Sequence, residues 1–89
     1  MSGANLSGAN LITANLREAI LSRADLSRAN LSGANVSEGN LITANLREAK
    51  LSRANLSGAD LTGAMVTQEQ LERAASLEGA TMPDGSKHE

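Results

Sequence analysis

The sequence predicts an all-β solenoid closed by a short helical cap, and three observations support this fold class. Leucine or valine recurs at every fifth residue from Leu6 to Val66. Alanine stands two residues before each of them, with Gly39 as the one exception. After Val66 the period stops and helix-start signals follow. We therefore expect a solenoid over residues 1–66 and a C-terminal helical cap with a mobile tail over residues 67–89.

A period of five fits neither regular element over a long stretch. On an α-helix, five residues advance about 500°, so successive leucines spread around the whole cylinder. On one flat strand they point to opposite sides, because five is odd. Within a unit, however, alanine and leucine are two residues apart, so a short extended segment turns both to one side. If the backbone bends between segments, every pair faces a common axis and the chain winds into a coil.

One long helix is the alternative, since Ala, Leu, Arg and Glu have high helix propensity. Against it, Asn or Asp stands before the leucine or valine in ten of the thirteen units, and the chain contains eight glycines. These residues penalise a helix and favour tight corners and local hydrogen bonds to the backbone. We therefore expect the Asn and Asp side chains to serve the corners of the coil rather than to bind an ion or a glycan.

Composition narrows the class of protein further. The 89 residues contain no aromatic side chain and no cysteine, and eight basic against ten acidic residues leave a net charge of −2. The core must then be aliphatic, and there is neither a disulfide framework nor a strong charge for nucleic acid. No apolar run has the length of a signal peptide or a membrane span. We expect a soluble, cytoplasmic protein of one domain.

The units themselves carry a family resemblance. Ala4-Asn5-Leu6-Ser7-Gly8 and Ala59-Asp60-Leu61-Thr62-Gly63, with the units between them, resemble consecutive pentapeptide repeats over residues 2 to 68. The resemblance implies a right-handed quadrilateral β-helix of about three coils, with Ala and Leu inside. Residues twenty apart then stack, which places Arg28 next to Glu48 as an ion pair and Glu18 next to Glu38 in mild repulsion.

A longer repeat is superimposed on the short one. Residues 11–35 match residues 41–65 at nineteen of twenty-five positions. Thirty residues equal one and a half coils of twenty. The two copies should therefore lie on opposite sides of the solenoid.

The two ends of the solenoid differ in sequence. Thr67 and Gln70 form a capping-box pattern that predicts a helix over residues 68–75, and Pro83-Asp84-Gly85 should end regular structure, leaving residues 86–89 mobile. At the other end the repeat begins at once, with nothing to cover the first coil. We expect this uncapped coil, with Leu6 and Leu11, to stack on a second copy, an upstream domain or another neighbour.

Candidate sites for chemistry are weak. The carboxylates of Glu18, Glu38 and Glu48 project from exposed walls, and His88 stands alone in the tail without companion ligands. We therefore predict no catalytic residue, no metal site, no cofactor and no enzymatic activity. The outward-facing isoleucines Ile12, Ile20 and Ile42, of which Ile20 and Ile42 share one wall, form the best candidate contact patch.

The functional hypothesis is a structural or protein-interaction module with no nucleic-acid or membrane partner. Mimicry of a DNA duplex is the alternative, because some members of the resembled family inhibit bacterial gyrase in this way. Mimicry requires a long acidic rod. Residues 1–65 instead carry six basic and five acidic side chains on a short solenoid.

Overall fold

The computed structural model describes residues 2–88 and shows a four-sided solenoid. Parallel β-bridges stack single residues from successive coils into four columns, which we call walls 1 to 4. Wall 1 contains Asn5, Asp25, Asn45 and Met65; wall 2 contains Asn10, Asn30 and Lys50; wall 3 contains Asn15, Asn35, Asn55 and Ser76; and wall 4 contains Ile20, Asn40, Asp60 and Thr81. The first coil comprises residues 2–20, the second 21–40 and the third 41–60, and the fourth begins at residue 61. Each bridge is one residue long, and α1, Gln68–Glu72, is the helix of the described chain.

The corners between Leu6 and Ala64 are tight turns of one kind. The leucine carbonyl accepts a hydrogen bond from the alanine N–H three residues later, as between Leu6 and Ala9 at 3.0 Å. The last residue of each unit from Gly8 to Gly63 has a positive φ, which together with that bond defines a type II turn. Glycine takes this conformation freely, whereas Thr13 (φ 57°) and Thr43 (φ 58°) take it against the preference of a β-branched side chain.

The Asn and Asp side chains hold these corners, as the sequence predicts. At Asn35, the side-chain Oδ1 accepts bonds from the Ser37 N–H at 3.1 Å and from the Ser37 hydroxyl at 2.7 Å. The same arrangement recurs at Asp25, Asn30, Asn55 and Asp60. Each such bond gives an acceptor to a turn N–H that has no backbone acceptor. The Asn and Asp side chains therefore stabilise the backbone at the corners.

Alanine and leucine fill the interior. In the second and third coils the inward leucines are at most 2% exposed, and alanines there are at most 5% exposed. In the first coil, Leu6, Leu11 and Leu16 are only partly buried and pack on the cluster from outside. The core is therefore an aliphatic column that is covered at one end and uncovered at the other.

The C-terminal end begins with the predicted capping box. The Gln70 N–H donates to Thr67 Oγ1 at 3.2 Å, and the Gln70 side-chain oxygen accepts from the Thr67 N–H at 2.9 Å. The helix ends at Glu72 rather than at residue 75. The reason is that the Ala75 N–H donates to the Ala54 carbonyl at 2.8 Å, which returns the chain to wall 3.

Beyond α1 the solenoid resumes, which differs from the expected helical cap and mobile tail over residues 67–89. Ser76 bridges Asn55 and Thr81 bridges Asp60, so the pairing interval is twenty-one residues instead of twenty. Helix α1 replaces one unit of wall 2 and adds one residue. The units that follow it, residues 75–79 and 80–84, complete walls 3 and 4 of the fourth coil.

Residues 86–88 also differ from the expected mobile tail. They turn back as the second arm of a hairpin, in which Lys87 pairs antiparallel with Thr81. The His88 N–H donates to the Ala80 carbonyl at 2.7 Å, and the Met82 N–H donates to the Ser86 carbonyl at 2.6 Å. The hairpin thus satisfies the wall 4 groups that a fifth coil would otherwise satisfy; Glu89 lies outside the described residues.

Candidate interaction face at the first coil

The first coil is the place where the aliphatic core meets the surface. Leu6 lies in the same interior column as Leu26, which is 0% exposed, and Leu11 in the same column as Leu31, which is 2% exposed. Both first-coil leucines are only partly buried because no coil covers them. Leu16 belongs to the same surface and was not among the residues that the sequence analysis selected, although the five-residue phase places it there. Together Leu6, Leu11 and Leu16 form what we call the end face.

The backbone around the end face is also unpaired. In the second coil, the Asp25 N–H donates to the Ala4 carbonyl at 2.8 Å and the Asp25 carbonyl accepts from the Leu6 N–H at 2.7 Å. Each bridging residue therefore directs both of its backbone groups toward the preceding coil. In the first coil those residues are Asn5, Asn10, Asn15 and Ile20, and within residues 2–88 their N–H and C=O groups have no backbone partner.

Sequence reasoning missed these backbone groups as site elements. They carry no distinctive side chain, because Asn5, Asn10 and Asn15 look like any other unit of the repeat. The available signal was positional, because the structure describes no coil before the first unit. Finding these groups also requires the direction in which the N–H and C=O of each bridging residue point, and the hydrogen bonds of the ladder show that direction.

The outward-facing residues of the first coil form the rim of the end face. This rim carries little charge. Residues 2–16 contain no charged side chain, and the Arg17 and Glu18 that follow form an ion pair of 3.7 Å. Arg17 also approaches Glu38 at 3.4 Å. Solenoid and sheet edges are usually protected against association by charges, lysine above all, or by proline. This rim has no such protection on walls 1 and 2.

Arg17 also corrects two expectations about ion pairs. Stacking at intervals of twenty predicted an Arg28–Glu48 pair and a repulsion between Glu18 and Glu38. Among the described residues, the ion pairs that form are those of Arg17 with Glu18 and with Glu38. A long arginine side chain reaches its sequence neighbour and the next coil at once, so the two glutamates share one cation instead of repelling each other.

The three candidate isoleucines do not form one patch. Ile12 follows wall 2 in the first coil, whereas Ile20 lies on wall 4 and Ile42 follows wall 4 in the third coil. Walls 2 and 4 are opposite sides of the square. Ile12 and Ile20 are 48% and 58% exposed, and Ile42 is partly buried. Ile20 and Ile42 thus share a side, as expected from the repeat phase, while Ile12 is separated from them and adjoins the end face. Whether any of them contacts a partner stays a prediction.

The carboxylates of Asp25 and Asp84 accept hydrogen bonds from the residues of their own turns. The hydroxyl of Ser27, then its N–H, hold the pKa of Asp25 below its usual value of 3.8, and Arg28 acts in the same direction. Ser86 lowers the pKa of Asp84 in the same way. Within residues 2–88 no three His, Cys, Asp or Glu side chains cluster closely enough to hold a metal ion. The described helix is also too short to cross a membrane.

Comparison with known proteins identifies the repeat. The sequence matches the family model for pentapeptide repeats, in eight copies, over residues 1–37 and 29–68. Among solved structures it is similar to alr5209, a pentapeptide repeat protein from Nostoc PCC 7120, with 41% identity and a TM-score of 0.74 over 91% of this chain and 62% of that chain. Proteins of this kind form right-handed β-helices, in agreement with the predicted fold class.

Two further solved structures are similar in sequence. HetL from Nostoc sp. strain PCC 7120, a pentapeptide repeat protein involved in heterocyst differentiation regulation, has 29% identity and a TM-score of 0.33 over 99% of this chain and 65% of that chain. A pentapeptide repeat protein from the cyanobacterium Cyanothece 51142 has 36% identity and a TM-score of 0.43 over 97% and 58%. The chain thus spans less than two thirds of each of the three. No curated protein matches it.

Proposed function

The chain belongs to the pentapeptide-repeat family, and on that premise we propose that it is a non-enzymatic protein-interaction module whose contact surface is the end face. The observation that carries the proposal is the contrast between three partly buried leucines in the first coil and their fully buried equivalents one coil later. Apolar surface surrounded by unpaired backbone groups favours association with another protein.

The chemistry of the end face restricts its partner. A suitable partner offers apolar side chains at the centre and extended backbone at the periphery, on up to four sides. A helix satisfies its own backbone groups, and a flat sheet edge meets one wall only. The end of another four-sided solenoid meets all of these requirements. We therefore propose a partner that docks by continuing the β-ladder.

Pentapeptide-repeat proteins are generally non-enzymatic structural modules, which supports the non-enzymatic part of the proposal. In addition, the carboxylates Asp25 and Asp84 accept two hydrogen bonds each from their own turns, which favours the ionised form. A carboxylate that is committed to a corner and stays ionised is poorly suited to proton transfer near neutral pH.

Site-specific photo-cross-linking tests the proposed surface. The thirty-residue duplication supplies a matched pair of sites, because Ile12 lies beside the end face and its copy, Ile42, lies in the third coil. A photoreactive amino acid replaces one or the other in the cells that produce the protein. We expect a cross-linked adduct of defined mass from position 12 and none from position 42.

Two results would contradict the proposal. Equal adducts from both positions would indicate a surface other than the end face. No adduct from position 12, with a variant that is folded by circular dichroism, would remove the end face as a contact surface. The mass of the adduct separately identifies whether the captured partner is this chain or another protein.

A further inference from the structure

We propose that the partner at the end face is a second copy of this chain, with the two first coils stacked head to head and their chains antiparallel. The inference rests on the proposed function and specifies its partner. It is drawn from the direction of the unpaired backbone groups, the state of the opposite end and the charge of the rim.

The direction of the open backbone groups in the first coil favours antiparallel pairing. Asn5 presents its N–H and its C=O together toward the open end, and so do Asn10 on wall 2 and Asn15 on wall 3. In an antiparallel ladder, two residues of a hydrogen-bonded pair exchange both of these bonds directly with each other. Two first coils facing each other therefore offer matching pairs, with two hydrogen bonds wherever two such residues meet.

The winding of the chain supplies the required antiparallel direction. Turning one coil over onto an identical coil reverses the sense in which its chain runs around the common axis. Every wall of one copy then meets a wall of the other that runs the opposite way. The two-fold operation that relates the copies also makes the contact self-complementary, which closes the assembly at two chains.

The opposite end of the molecule argues against head-to-tail stacking. On wall 2, the Gln70 side-chain amide donates to the carbonyls of Leu46 and Ala49 at 2.7 and 2.8 Å. On wall 4, the hairpin arm of residues 86–88 occupies the edge. Leu71 of α1, 2% exposed, packs on the core. At the C-terminal end, two of the four walls are thus already occupied and cannot pair with an incoming first coil.

Charge and size are compatible with a dimer that dissociates on dilution. The rim contains no charge in residues 2–16, so two copies meet without like-charge repulsion on walls 1 and 2. The molecule measures 29 × 22 × 22 Å. An end about 22 Å square implies on the order of 1,000 Å² buried in total, near the lower bound for a specific interface.

Light scattering of the purified chain over a range of concentrations tests the proposal. We expect the mean mass to rise from one chain to two and no further. Ile12→Lys places a cation on the rim and should weaken the dimer at least tenfold, whereas Ile42→Lys, the matched control in the third coil, should associate like the parent chain. Circular dichroism verifies that both variants are folded.

A spin-label distance measurement tests the orientation. The chain has no cysteine, so Ser7→Cys and Arg47→Cys each provide one label, on the same corner and two coils apart. Two coils correspond to about 10 Å along the axis. Head-to-head stacking predicts a longer distance between the two Arg47→Cys labels than between the two Ser7→Cys labels. Head-to-tail stacking gives the same distance for both.

Three results would overturn the inference: a monomer at every concentration, growth beyond two chains, or equal distances from the two labels. A loss of the dimer with Ile42→Lys as large as with Ile12→Lys would do the same. None of these decides the proposed function, which depends on the cross-linking at position 12. An adduct there with a different protein, together with a monomeric purified chain, would refute the self-association alone.

Discussion

The two ends of this solenoid solve the same problem differently. At the C-terminal end, α1 covers the core with Leu71, the Gln70 side chain takes the place of a missing peptide group on wall 2, and a hairpin closes wall 4. At the N-terminal end no side chain of the described residues covers the core, and none of their backbone groups pairs with Asn5, Asn10 or Asn15. One repeat, with one period, thus produces one closed end and one open end.

The comparison shows that the repeat specifies the walls but not the ends. Stacking satisfies every bridging residue from Asp25 to Met65, each of which has a coil before it, whatever its side chain. An end has to be closed by residues outside the repeat, since the last coil always leaves backbone groups without a partner. In the described chain the first coil has no such closure, and it is where we place function.

Truncation of one interior leucine should have the largest effect, and it should differ between the ends. Leu26→Ala removes a side chain that is 0% exposed, so we expect unfolding free energy to fall by about 2–5 kcal/mol. Leu6→Ala in the same column removes a partly buried side chain, and about half that loss is expected. Urea denaturation of both variants measures the ratio. Equal losses would mean that the end face is as well covered as the interior.

Loss of the wall 2 closure should come next in size. Gln70→Ala leaves the Ala49 carbonyl without its donor, removes the second donor to the Leu46 carbonyl and removes half of the capping box, so about 1–3 kcal/mol of stability should be lost. Gln68→Ala, on the same helix but exposed, is the control and should cost less than about 0.5 kcal/mol. Thermal denaturation compares the two. If both variants melt alike, Gln70 does not close the wall.

The corners should respond in the opposite direction and by less. Thr43→Gly relieves a β-branched residue at φ 58° but gives up a hydrogen bond from its hydroxyl to the Ile42 carbonyl, and we expect a net gain of about 0.5–1 kcal/mol. Thr13→Gly, its duplicate in the first coil, has the same geometry and should gain the same amount. A gain at one position only would show that corner strain depends on distance from the open end.

Acid should have the smallest effect. The folded pKa of Asp25 lies below its usual 3.8, so its contribution is complete above that value and is lost as the pH falls through the folded pKa. Stability should therefore be flat near neutral pH and begin to decline below about pH 4. Asp25→Asn keeps the acceptor oxygen and should reduce the decline. An unchanged acid profile in this variant would assign the loss to other carboxylates, with Asp84 the first to examine.

Much of the fold follows from the sequence because each unit repeats one local solution. An alanine and a leucine two residues apart, an Asn or Asp between them and a turn after them suffice to predict walls, corners and interior. The capping box at Thr67 and Gln70 was likewise visible. These features depend on neighbours within a few residues, which is the range over which sequence patterns are informative.

The features that the sequence did not predict depend on a shift in the repeat register and on which of two glutamates an arginine contacts. The units at residues 75–79 and 80–84 obey the repeat, but α1 inserts one extra residue and hides them from a search at intervals of five. Arg17 chooses between two glutamates by side-chain reach, which stacking intervals do not describe. The separation of Ile12 from Ile20 and Ile42 required counting walls rather than units.

Amide hydrogen exchange measured residue by residue at low and high protein concentration tests the central claim most directly. At low concentration, the N–H groups of Asn5, Asn10, Asn15 and Ile20 should exchange fast, while those of Asp25, Asn30, Asn35 and Asn40, one coil further along the same walls, are protected. At high concentration the first four should become protected as well. Protection of the first four at every concentration, or at none, would contradict an open first coil that assembles by continuing its ladder.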